Sequence, residues 1–75
     1  MKKIKEFINS KELRLNYINN KLNVVNYDEI ILLTAEKIIL TKDKKIIIIK
    51  GLNLTLLKLL NEEILINGSI KTIEL

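Results

Sequence analysis

The sequence has no cysteine, no histidine, no proline and no tryptophan. Without cysteine there is no disulfide framework and no thiolate metal site. Without histidine there is no Ser–His or Cys–His nucleophile system and no imidazole ligand. Aromatic residues are scarce, with only Phe7, Tyr17 and Tyr27. The two glycines, Gly51 and Gly68, stand far apart, so no glycine-rich phosphate cradle is encoded. No window approaches the roughly 18 consecutive apolar residues of a membrane span. The opening Met1-Lys2-Lys3-Ile4-Lys5 is charged like the start of a signal peptide, but Glu6, Asn9, Ser10 and Lys11 break the apolar stretch that should follow. A soluble, cytoplasmic protein is the expectation.

What is present is aliphatic and basic. Fifteen isoleucines and fourteen leucines stand in 75 residues, and thirteen basic against nine acidic residues give a net charge of +4. A chain of this length makes one small domain that buries about 60% of its unfolded surface. So many aliphatic and so few chemistry-bearing side chains predict a packing or assembly module, not an enzyme. No cofactor, no metal and no small-molecule substrate are expected.

The chain divides near residue 12. Ile4, Phe7 and Ile8 have helical spacing, which predicts a short N-terminal α-helix or arm over residues 1–12, two turns at most. Residues 13–75 read as a single mainly β domain of short strands with polar punctuation. Leu13, Leu15 and Tyr17 alternate with Arg14 and Asn16, and Asn19-Asn20 is a two-residue turn signal. Further apolar runs start near Ile30, Ile38, Ile46 and Leu54, about eight residues apart. That spacing predicts a small antiparallel meander or sandwich-like sheet, because the links are too short for crossover helices. Gly51 marks a boundary or bend, and Asn67-Gly68 is the strongest turn signal, predicting a hairpin between Ile64–Ile66 and Ile70–Ile73. Residues 52–60 are ambiguous: leucine propensity favours a helix, the flanking strands favour a strand. As a strand, the segment changes parity between Leu56 and Leu57 and needs a bulge there.

Candidate sites are few. Glu62-Glu63 and Asp28-Glu29 are adjacent acidic pairs, but neighbours on a strand point to opposite faces and do not cooperate in acid–base chemistry. Lys42, Lys44, Lys45 and Lys50 cluster around one expected turn, and Lys2, Lys3 and Lys5 form a second group. Either could meet phosphate or an anionic membrane surface, or simply protect strand edges. Three dispersed aromatics do not make a stacking platform for nucleic acid, so a basic nucleic-acid-binding β module is the alternative. The run Ile46–Ile49 carries apolar groups to both faces of a strand. Either loops and the N-terminal helix cover the second face, or a partner does. The candidate interaction surface is therefore Lys44, Lys45, Ile46, Ile47, Ile48, Ile49 and Lys50.

Several segments recur in an order that carries a family resemblance. They are Lys21-Leu22-Asn23-Val24-Val25-Asn26-Tyr27, Glu36-Lys37-Ile38-Ile39-Leu40, Lys45 to Gly51, Leu52-Asn53-Leu54, and Asn61 to Ile70 with its Glu-Glu-Ile-Leu-Ile-x-Gly-x-Ile ending. From Tyr17 to Leu75 the chain resembles the YabP/YqfC family of sporulation proteins, nearer the YqfC branch. The resemblance implies a structural or assembly factor on the mother-cell side of endospore formation, acting in spore envelope or coat assembly. It implies no catalytic residue. It implies as partners the chain itself or a sporulation membrane protein, with peripheral placement at the forespore outer membrane.

Overall fold

A computed structural model describes residues 12–75. Of the helix or arm expected over residues 1–12, residues 1–11 lie outside the described residues. The rest is six strands in one antiparallel sheet: β1 (Arg14–Ile18), β2 (Lys21–Val25), β3 (Glu29–Leu33), β4 (Lys37–Lys42), β5 (Lys45–Leu60) and β6 (Glu63–Glu74). Their order across the sheet is β1-β2-β6-β5-β4-β3. The mainly β, antiparallel expectation holds.

β5 and β6 are long and organise everything else. The first half of β5 pairs with β4, Ile38 opposite Ile49 and Leu40 opposite Ile47. The first half of β6 pairs with β2, Leu22 opposite Ile66 and Val24 opposite Ile64. Between these halves the β5–β6 ladder shifts register at Lys50/Gly51, Leu52/Thr55 and Leu56/Lys58. Extra residues bend and twist a strand, so the sheet closes over one core. Leu22, Val24, Ile64 and Ile66 from one half join Ile38, Leu40, Ile47, Ile49 and Leu54 from the other, with Tyr27 from the loop between. Seven of these side chains are fully buried, and among the described residues no polar side chain is buried with them. The loops extend the ladders beyond the strands. Asp28 N–H donates to the Thr41 carbonyl at 2.7 Å, and Leu54 N–H to that of Ala35 at 2.8 Å.

The turns use asparagine where a chain with two glycines must find positive φ. Asn19 (φ 54°) and Asn20 (φ 61°) form the β1–β2 hairpin, as expected. Asn26 and Asn53 also adopt positive φ, and Asp43 with Lys44 makes the β4–β5 turn. Asn and Asp tolerate this region because their short polar side chains bond locally.

Two expectations need correction. Asn67-Gly68 is not a hairpin turn: β6 runs straight through it, and the hairpin instead falls at Asn61-Glu62, where Glu62 has φ 66°. Gly68 (φ 145°) serves a close approach, since a Cβ there would meet the Asn53 carbonyl oxygen at 2.8 Å. Gly51 is not a strand boundary either. It lies buried within β5 at a register shift, which fits a bend. Residues 52–60 are strand, with the parity change at Leu56/Lys58 absorbed as a bulge.

Tyr17 ties the edge of the sheet to this bend. Its hydroxyl donates to the Gly68 carbonyl at 3.1 Å and accepts from the Ile70 N–H at 3.2 Å. Tyr17→Phe is expected to lower stability by about 1 kcal/mol with the fold retained. Urea unfolding followed by circular dichroism measures this, and an unchanged midpoint would show that the hydroxyl contributes nothing.

Candidate functional site

The register sorts the run of four isoleucines. On β5, Ile47 and Ile49 face inward and are buried, at 2% and 0% exposure. They belong to the core and drop out of the candidate interaction surface. Ile46 and Ile48 face outward, Ile46 with 56% exposure. Pairing continues their face across the sheet. Ile48 stands opposite Ile39 on β4, Ile39 opposite Leu32 on β3, and Thr41 opposite Ile46. The outer face of the β3–β4–β5 half therefore carries an aliphatic row, Leu32–Ile39–Ile48, with Ile46 beside it. On the other half the corresponding row, Asn16–Asn23–Leu65–Lys58, is largely polar.

The lysines split into two groups. Lys42 and Lys45 are cross-strand partners next to the Asp43-Lys44 turn. Asp28 Oδ2 fixes this tip by accepting the Asp43 N–H at 2.7 Å. Lys50 does not join them. Five residues on from Lys45, it lies roughly 16 Å further along the strand, opposite Lys37 and 3.3 Å from Glu74. That exposed ion pair contributes at most about 1 kcal/mol.

The acidic pairs hold structure. Besides Asp28, Glu63 accepts a bond from Asn23 Nδ2 at 3.0 Å, and Glu62 occupies the β5–β6 turn. Among the described residues no group of three or more acidic side chains is placed to hold a metal ion. Burial pushes the Tyr27 phenol above its ordinary range, and the ring serves as core. A cavity of about 310 Å³ lies beside the β4–β5 tip, lined by Leu13, Ile46, Ile47 and Leu75 with Glu12, Lys42, Asp43 and Lys45. Its size is at the low end for a small-molecule site. Among the described residues no helix is long and apolar enough to cross a membrane.

Sequence reasoning found the β5 run but not its companions. Leu32 and Ile39 lie within aliphatic stretches of their own, and only the register brings them beside Ile48. No family model, no curated protein and no solved structure matches this chain.

Proposed function

We propose that the chain is a non-enzymatic assembly factor that acts by protein–protein association through the β3–β4–β5 half of its sheet. The observation that carries this reading is the outward aliphatic row Leu32–Ile39–Ile48 with Ile46, where the corresponding row of the other half, Asn16–Asn23–Leu65–Lys58, is largely polar. Apolar groups gathered on one exposed face mark an interaction surface more than scattered ones do. The lysines at the β4–β5 tip stand beside this face and would orient it toward an anionic partner or membrane surface. The resemblance of residues 17–75 to the YabP/YqfC family supplies the setting, endospore formation on the mother-cell side, with the chain itself or a sporulation membrane protein as partner.

The test is complementation in a spore-forming host that carries the gene. Deletion is expected to lower the yield of heat-resistant spores. Re-expression of the unaltered chain restores it, and a folded Leu32→Lys/Ile46→Lys variant does not. Normal sporulation after deletion would overturn the setting, and full rescue by the variant would overturn the surface. An oligonucleotide titration separates the alternative of a nucleic-acid module, whose affinity would fall steeply with salt. No binding is expected even at low salt, because Tyr27 is buried and the Tyr17 hydroxyl is engaged with Gly68 and Ile70, leaving no stacking platform among the described residues.

A further inference from the structure

We infer that β3 is a self-pairing edge: two copies of this chain join antiparallel along Glu29–Leu33 about a two-fold axis. Ile30 then lies opposite Leu33 of the second copy, and Ile31 opposite Leu32. The inference rests on the association reading above and names its surface and its partner.

Among the described residues four strand edges are open. β1 and β3 end the sheet, and the bend leaves residues 55–60 of β5 and 69–74 of β6 paired on one side only. Open edges invite pairing unless charge blunts them. Three of the four are interrupted by polar or charged residues: β1 by Asn16, β5 by Lys58, and β6 by Lys71 and Glu74. β3 is not. After Glu29 it presents four aliphatic residues in succession, of which Ile31, Leu32 and Leu33 are 58%, 39% and 47% exposed.

Three features select an identical strand as the occupant. The first is the bulge. Against β4, Ile30 pairs with Leu40 and Leu32 with Ile39, so Ile31 is an extra residue. A regular strand laid on this edge would lose step at Ile31. A second β3 run antiparallel carries the same extra residue between the same two pairs and stays in step. The second is backbone direction. Thr34 N–H bonds to the Lys37 carbonyl on the β4 side. In an antiparallel ladder successive residues direct their peptide groups to opposite sides. Leu33 therefore presents its own to the open side, and the bulge returns Ile30 to the same phase, since both stand on one face of the sheet, opposite Ile38 and Leu40.

The third is charge. In this register Glu29 lies opposite Thr34 of the second copy, and the next residue across is that copy's Lys37. Lys37 faces a like charge, Lys50, across β4–β5, and Lys50 already pairs with Glu74. Among the described residues neither Glu29 nor Lys37 has an ion-pair partner. Two-fold pairing places each Glu29 in the row of the other copy's Lys37, with only Thr34 between them, and keeps the two Glu29 side chains at opposite ends.

A five-residue edge buries less than the roughly 800 Å² per partner of a standard interface, so the dimer is expected to form in the micromolar range. Sedimentation velocity of the full chain over a concentration series tests this, with circular dichroism to verify that each variant is folded. The unaltered chain is expected to pass from monomer to dimer. Ile31→Lys, at an exposed position, should raise the half-dimer concentration by about tenfold or more. Glu29→Lys should weaken the dimer, and Glu29→Lys/Lys37→Glu should restore it. Leu60→Lys, on the β5 edge, should leave it unchanged. A dimer indifferent to Ile31→Lys, or lost in Leu60→Lys, overturns the β3 edge while association through another surface stands. A chain monomeric at every concentration overturns self-pairing, and the complementation result then decides the association reading by itself.

Discussion

Gly51→Ala is expected to cost about 3 kcal/mol or more, a large share of the roughly 4–11 kcal/mol that a domain of this length has in total. The reason is a backbone crossing. At Gly51 the chain of β5 passes against β6, and a Cβ built there falls on the Ser69 carbonyl oxygen. That oxygen belongs to the main chain of a strand paired on the far side of the bend, opposite Leu52. It cannot move aside as a flexible side chain would. The Leu54 side chain closes the remaining space, with its Cδ2 3.0 Å from the added carbon. The same methyl group lies 2.9 Å from a Cβ added at Gly68. The only two glycines of the chain thus flank one leucine at the bend. Relief would require β5 and β6 to part where the two halves are joined, with loss of the fold's closure over its core. Equilibrium urea unfolding measures the effect. A loss below 1 kcal/mol would show that the strands do not approach this closely.

Ile49→Ala is expected to destabilise by about 2–5 kcal/mol, while Ile46→Ala changes stability by no more than about 0.5 kcal/mol. The two residues stand three apart in an uninterrupted run of isoleucine. Ile49 is fully buried opposite Ile38 and Ile73, at the junction of β4, β5 and β6. Truncation there removes contacts from several neighbours and leaves a cavity that a close-packed interior fills poorly. Ile46 is more than half exposed, so truncation there removes far less buried contact. The same two variants separate stability from association, because Ile46 stands on the proposed interaction face. Unfolding midpoints for both, compared at equal m-values, give the result. Equal losses at the two positions would mean that the strand's faces are not assigned as described.

The sequence was most informative where one physical cause has one signature. Alternation in Leu13–Tyr17 and the Asn19-Asn20 pair mark the first hairpin, because two successive positive-φ residues are what such a turn needs. The parity change at Leu56-Leu57 marks a bulge because strand side chains alternate without exception. It was least informative where one signature has two causes. Asn67-Gly68 reads as a turn, yet its glycine is required by a neighbouring backbone within a strand. Gly51 reads as a break for the same reason. The run Ile46–Ile49 announces that both faces are apolar, but not which pair turns inward. That depends on the register with Ile38 and Leu40, set by the Asp43-Lys44 turn. The outward row exists only once three separate stretches are laid side by side, so no single stretch could reveal it.

The strand order also sets when the protein can fold during synthesis. β2 is made early, but the strand that covers it on its inner side is β6, the last of the six. Lys21 pairs with Asn67, and Leu22 with Ile66, across more than half the chain. A two-stranded hairpin is marginal by itself, so β1 and β2 wait, with Leu22 and Val24 open to solvent, until β6 has been translated. The β3–β4–β5 meander has only neighbouring pairings and can form first. Such distant pairing slows folding and leaves apolar surface exposed meanwhile. Leu22 and Val24 thus gain their partners only when the last strand is made.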